Sequence, residues 1–156
     1  MFVVLLFLIG FCCQPPKAHA DGPIMHLYGG GNVAWLQGGN AEFELGANAA
    51  ASLSPHISGV ISAYRGMDHH YWVPRVGARV TATDADNRKL SIGVGLEYQL
   101  NESVIGPKEW CSEASLGYRP WEGGSLDPLI LVAQGSYGTT SHNERVLVGA
   151  RWAIKI

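Results

Sequence analysis

Residues 89–100 read KLSIGVGLEYQL, and their side chains divide into two faces without a break in the pattern. Every second residue from Leu90 to Leu100 is apolar, and the positions between them hold Ser, Gly, Gly, Glu and Gln. A period of two is typical of a β-strand with one apolar and one polar face. In a water-soluble barrel the apolar face turns inward, whereas in a membrane barrel it turns outward to lipid.

The same alternation recurs along the chain, separated by short turn sequences such as QGGN and DADNR. No segment has the apolar period of a helix. The segments are 24–36, 41–53, 56–65, 72–83, 89–100, 110–118, 128–138 and 145–156. The pattern predicts an all-β fold, an eight-stranded antiparallel up-and-down barrel. The interior of a barrel of eight strands is just wide enough to be filled by side chains.

The first twenty residues have the pattern of a secretory signal peptide. An apolar run over residues 2–13 precedes QPP and the cleavage pattern Ala18-His19-Ala20. The run is too short to span a bilayer as a helix, which needs about 20 residues. We therefore predict a signal peptide at 1–20 and a single barrel domain at 21–156.

The composition of the remaining chain excludes some classes of protein. Removal of Lys17 leaves ten basic residues against thirteen acidic ones, a net charge of about −3. A nucleic-acid-binding domain would usually carry a basic patch, so no nucleic-acid partner is expected. Only Cys111 of the three cysteines remains, and the exported chain has no intramolecular disulfide available.

The polar face of the strands gathers four acidic and four basic residues among glycine, serine and asparagine. Ions in a narrow interior must be paired to be buried at all. We therefore predict a polar lumen held by a structural ionic network of Glu42, Glu44, Arg75, Arg79, Glu97, Glu113, Arg151 and Lys155.

The apolar face carries no charge in any well-patterned strand, and its aromatic residues lie near strand ends. In up-and-down order six of them fall at one rim and two at the other. Aromatic belts at both interfaces are typical of an outer-membrane barrel. The apolar face is predicted to face lipid, with these interface aromatics: Trp35, Phe43, Trp72, Tyr98, Trp110, Tyr118, Tyr137 and Trp152.

Over residues 21–156 the pattern resembles the small eight-stranded outer-membrane barrels, such as the OmpA transmembrane domain and the OmpX/Ail-like proteins. The most specific part is the end, RVLVGARWAIKI. It is similar to the terminal strand by which the barrel-assembly machinery recognises its substrates, with Ile156 where the family typically has Phe. The resemblance implies Glu/Arg pairs in the lumen and roles in envelope integrity, adhesion or defence against host factors.

Two short motifs contain residues that could carry chemistry. Ser141-His142-Asn143-Glu144 holds a nucleophile, a base and a carboxylate, but neighbours on one turn do not converge as a triad must. Asp68, His69 and His70 offer metal-ligand types without a distant partner. Both are read as polar loops, so we predict no catalytic residue, no metal site and no cofactor. His26 and His56 are read as structural, and Gly29-Gly30-Gly31 as a tight or bent strand segment.

The sequence favours a monomeric integral outer-membrane barrel without chemistry of its own, serving a structural or surface role. Its expected partners are outer-membrane lipid, the assembly machinery and a host or surface ligand bound through short loops. Those loops are near 37–40, 66–71, 101–109 and 138–144. Three alternatives stay open: a lipid A-modifying enzyme, a narrow pore, and a secreted lipocalin-like carrier with the apolar face inside.

Overall fold

The computed structural model describes residues 25–36, 39, 41–54, 56–83, 89–121 and 129–155. It contains eight β-strands, and each predicted strand boundary lies within one residue of the observed one. They are β1 (Met25–Leu36), β2 (Ala41–Ser52), β3 (Ile57–Gly66), β4 (Trp72–Thr83), β5 (Leu90–Gln99), β6 (Trp110–Tyr118), β7 (Leu129–Gly138) and β8 (Glu144–Lys155). The predicted signal peptide lies outside the described residues.

The strands form one closed sheet in which each strand pairs antiparallel with its neighbours in sequence. β1 closes the ring by pairing with β8, in a register that sets Val33 opposite Val148. The predicted eight-stranded up-and-down barrel is confirmed. No helix in the described part of the chain is long and apolar enough to cross a bilayer.

The polar face of the strands points into the barrel and the apolar face points out. Glu44 and Glu97 are fully buried, whereas Phe43 and Leu96 on the other face are about half exposed. Across the eight strands, charged residues on the outward face occur only near strand ends, at Arg65 and Glu144. The barrel is therefore inverted relative to a water-soluble one.

The two ends of the barrel differ, and we name them by what they carry. The loop rim holds the connections β1–β2, β3–β4, β5–β6 and β7–β8. The terminal rim holds the start of β1, the end of β8 and the other three connections. Every side chain can be placed along the barrel by its distance from these two rims.

Close contact between neighbouring strands requires glycine at some inward positions. A Cβ atom at Gly77 in β4 would lie 2.1 Å from the carbonyl oxygen of Leu96 in β5. This contact is with backbone, which cannot move aside as a flexible side chain can. At Gly59, on the outward face of β3, a Cβ would in contrast meet nothing within 4 Å.

Gly77→Ala should destabilise the folded barrel by about 1–3 kcal/mol, because the added methyl forces β4 and β5 apart. Gly59→Ala is the matched control and should be neutral or stabilising by up to about 1 kcal/mol, since it restricts the unfolded chain. Urea unfolding in detergent micelles, followed by tryptophan fluorescence, measures both. Equal effects of the two substitutions would contradict the strand register described here.

Candidate functional site: a charge-bridged lumen

A hydrogen-bonded chain of side chains crosses the middle of the lumen, and we call its six residues the central network. Arg79 binds two carboxylates, at 3.2 Å to Glu97 and in closer contact with Glu113. The far oxygen of Glu97 accepts a hydrogen bond from Ser62, and that of Glu113 accepts one from Gln134. The members come from six strands, β3 to β8: Ser62, Arg79, Glu97, Glu113, Gln134 and Arg151.

Arg151 ends the central network with amide partners. Its Nη2 donates to Gln134 Oε1 at 2.7 Å. When the side-chain amide of Asn48 is oriented so that its nitrogen and its oxygen are both hydrogen-bonded, Arg151 Nη1 donates to the Asn48 oxygen at 3.0 Å. Within the described residues no carboxylate lies within salt-bridge distance of Arg151.

A second cluster lies nearer the loop rim and joins β2, β3 and β8. Arg145 binds Glu44 through both Nε and Nη2, and its guanidinium lies 4.3 Å from the centre of the Tyr64 ring. Tyr71 donates its hydroxyl proton to the same carboxylate. Burial, and then the contact with Glu44, raise the pKa of Tyr71, so this hydroxyl stays protonated as a donor.

The eight residues predicted for the lumen lie as follows in the structure. Glu44, Glu97, Glu113 and Arg79 take part in Arg–Glu pairs, and Glu42 pairs with His69 of a loop. Arg75 donates to Gln99 rather than to a carboxylate among the described residues, and Arg151 likewise donates to amides. The Lys155 side chain lies outside the described part of the chain.

Arg145 was not predicted from the sequence, although it provides the ion pair to Glu44. The signal was available, because Arg145 is six residues before Arg151 and so shares its face of β8. Gln99 and Gln134 were also not predicted as site residues. Their side-chain amides accept hydrogen bonds from Arg75 and Arg151. A neutral side chain on the polar face gives no charge pattern to notice, so only the register identifies it as a partner.

Two carboxylates at the loop rim each hold a hairpin in place. Glu42 accepts the backbone N–H groups of Asp68 and His69, both at 3.0 Å. Glu109 accepts those of Thr140 and Ser141, at 2.7 and 2.9 Å. In each case a loop side chain adds a bond to the same carboxylate: the His69 ring to Glu42 and the Ser141 hydroxyl to Glu109.

We call the bonds from Glu42 to its hairpin and from Glu109 to its hairpin the two clamps. They belong to an internal repeat of the barrel. Each hairpin starts at a glycine, Gly66 or Gly138, and has a histidine of positive φ four residues later. Each glycine N–H donates to the residue that follows that histidine. The sequence Val-Gly-Ala-Arg then occurs at 76–79 and again at 148–151, placing Arg79 and Arg151 at matching positions. The repeated sequence does not identify Glu109, whose match to Glu42 comes from the hairpin that each carboxylate binds.

The motif Ser141-His142-Asn143-Glu144 is part of the second clamp. The Ser141 hydroxyl is bonded to Glu109, and the His142 ring nitrogen Nδ1 lies 2.6 Å from the Tyr137 hydroxyl. Serine and histidine are therefore engaged with different partners and form no relay with each other.

Around Asp68, His69 and His70, the described residues contain no cluster able to hold a metal ion.

The predicted interface aromatics all lie on the outward side of the strands. Tyr98 packs edge-on against Trp110, with ring centres 5.3 Å apart. Six of them lie at the loop rim: Trp35, Phe43, Trp72, Tyr98, Trp110 and Tyr137. Tyr118 and Trp152 lie at the terminal rim.

The lumen is filled towards the loop rim and hollow towards the terminal rim. Ala34, Tyr64 and Leu147 form a fully buried apolar cluster near the loop rim. On the other side of the central network a cavity of about 230 Å³ extends towards the terminal rim. The bonds and packing define a closed barrel with a charge-bridged, partly filled interior and an apolar exterior.

Comparison with solved structures shows that this fold is similar to that of designed transmembrane β-barrels. A de novo designed transmembrane β-barrel has a TM-score of 0.57 at 14% identity, over 87% of this chain and 98% of that chain. The designed barrel TMB2.3 has a TM-score of 0.52 at 17% identity, over 87% and 98%. These likenesses show the fold alone.

A further match is Ail, the attachment invasion locus protein of Yersinia pestis, in complex with the heparin analogue sucrose octasulfate. Its TM-score is 0.46 at 12% identity, over 86% of this chain and all of that one. No family model and no curated protein sequence matches this chain.

Glu97→Lys should destabilise the barrel by roughly 3–5 kcal/mol, because it removes one carboxylate from Arg79 and buries an unpaired cation beside it. The additional substitution Arg79→Glu should recover part of the loss. Glu144→Lys, on an exposed residue, is the charge-matched control and should stay within about 0.5 kcal/mol. The urea midpoint in micelles measures all three, and an unchanged midpoint in Glu97→Lys would disprove the central network.

The clamp at Glu109 should open in acid. Burial raises the pKa of Glu109, but hydrogen bonds from Ser141 and Thr140 outweigh it and hold the pKa below its ordinary value. Its stabilising contribution is thus complete above the unfolded-state pKa and is lost as pH falls through the lower folded value. The Thr140 and Ser141 amide NMR signals should titrate with that lowered midpoint.

Glu109→Gln is the control for this titration, since it keeps the shape of the side chain and removes its charge. In this variant the acid transition of both amides should disappear. A midpoint at or above the ordinary glutamate pKa in the unmodified protein would contradict the clamp.

Proposed function

We propose that this chain is an integral outer-membrane β-barrel protein with a structural or surface role in the envelope. The observation that carries the proposal is the inverted barrel: ion pairs and amides inside, with aliphatic and aromatic side chains outside. In water such an exterior would be unfavourable, because a contiguous apolar surface of this extent promotes association. In lipid it is the expected exterior.

The backbone supports the same environment. A bilayer offers no partner to an unpaired N–H or C=O group, so only helices and closed barrels span it. Here every strand has two paired neighbours and no free edge. The strands of 9 to 12 residues are as long as tilted membrane-spanning strands need to be, about 9–11 residues.

The filled loop-rim half of the lumen favours a structural or surface role over a pore. The loop-rim half is occupied by the apolar cluster, the Arg145–Glu44 pair and the two clamped hairpins. A solute would have to break these contacts to pass. The short, clamped loops would instead give a rigid surface at which an envelope or host ligand could bind.

The remaining partners in this proposal are lipid and the assembly machinery. The outward aromatics at both rims would lie at the lipid headgroups, where amphipathic rings are most stable. Strand β8, the last in the chain, would be the segment that the assembly machinery recognises. The closed ring leaves no strand edge for pairing with another copy, which favours a monomer.

One charge on the outward face tests the membrane location. Val148 lies near the middle of β8 and is 50% exposed on the exterior. Val148→Lys should cost about 2–4 kcal/mol in phospholipid vesicles if that face contacts the bilayer centre. Unfolding in urea, measured by tryptophan fluorescence, gives the cost.

Met67→Lys is the control, because Met67 is exposed in a hairpin of the loop rim and should tolerate the charge within about 0.5 kcal/mol. The unmodified protein should also fractionate with outer membranes and need detergent or lipid to stay folded. A monodisperse folded protein in detergent-free buffer, with Val148→Lys as stable as Met67→Lys, would reject the proposal.

A further inference from the structure

The hollow half of the lumen has a lining of unusual charge. The cavity extends from the central network to the strand ends at the terminal rim. Its lining includes the guanidinium groups of Arg79 and Arg151 and hydroxyl groups of Ser, Thr and Tyr28. No carboxylate is among the lining residues that the structure describes. Among its described lining residues, the cavity therefore offers hydrogen-bond donors and two guanidinium groups and no carboxylate.

Arg79 and Arg151 differ in the number of carboxylates they bind. Glu97 and Glu113 are both bound to Arg79, and neither is among the described lining residues of the cavity. Only 5% of the surface of Arg151 is exposed, and both of its Nη atoms contact neutral amides. The Nε atoms of Arg79 and Arg151 have no hydrogen-bond partner among the described residues. A buried guanidinium of this kind is stabilised by an anion that accepts its remaining protons.

The size of the cavity limits what that anion can be. At about 230 Å³ it is smaller than the 300–1,000 Å³ typical of sites for drug-sized ligands. It would hold a small group together with a few waters, each of which occupies about 30 Å³ in the liquid. Arginine forks and hydroxyl groups are the donors that phosphate and related oxyanions use in proteins.

We propose that this cavity binds one small tetrahedral oxyanion of the phosphate class, held by Arg151 and Arg79 at the inner end. The site goes beyond a structural role in the envelope and does not depend on it, since the donors converge whichever environment surrounds the exterior. The central network and the apolar cluster close its far side. The cavity is thus a binding pocket with one end rather than a path through the barrel.

Binding is tested on the folded full-length barrel in a phosphorus-free detergent, with inorganic phosphate as the probe. Saturable broadening of the ³¹P signal and a rise in thermal midpoint should appear with phosphate, and chloride at equal ionic strength should give neither. Sulfate should compete. Glycerol phosphate separates a free oxyanion from an esterified headgroup: comparable binding would identify an ester as a ligand, and much weaker binding would identify the free ion.

Arg151→Gln should weaken phosphate binding at least tenfold, and Arg65→Gln is its control, because Arg65 lies on the outward face at the other rim. Ser58→Leu fills part of the cavity while keeping both arginines, and it should also abolish binding. It tests the site even if Arg151→Gln does not fold. Absence of saturable binding, or equal binding by the unmodified, Arg151→Gln and Ser58→Leu proteins, would overturn the proposal.

Discussion

The pairing of buried charges inside a closed ring of strands is the constraint on which the rest of this structure depends. The exterior is apolar, so the polar face of every strand must find its partners within the lumen. Arg79 meets this requirement by joining Glu97 of β5 to Glu113 of β6, and Arg145 meets it by joining β8 to β2. These bonds join side chains of different strands inside the lumen, so that the buried charges have partners there.

The repeat within the chain is used differently at the two rims. At the loop rim the matching carboxylates Glu42 and Glu109 have the same role. Each accepts hydrogen bonds from two backbone N–H groups of one hairpin. Deeper in the barrel the matching arginines Arg79 and Arg151 differ in their partners, since one binds two carboxylates and the other binds amides. This difference gives the hollow half of the lumen its positive lining.

Much of the fold could be predicted because a two-faced strand has a period of two, and the chain keeps that period through nearly all of its strands. The alternation of apolar and polar residues is less regular in β3, but the turn sequences on either side of it predict its position correctly. Its inward face carries Tyr64, which fills the lumen beneath Arg145. The orientation of the faces could also be predicted, because acidic and basic residues occur together on one face and occur on the other only near strand ends.

What the sequence determined alone is which residues share a face, and hence that the charged residues gather in one compartment. What only the tertiary structure decided is which of them meet. Arg75 could have paired with a carboxylate by pattern, yet the register sets it opposite Gln99. Partners across the lumen are set by strand stagger and ring closure, which join residues as far apart as Glu44 and Arg145. Local alternation carries no information about contacts at that range.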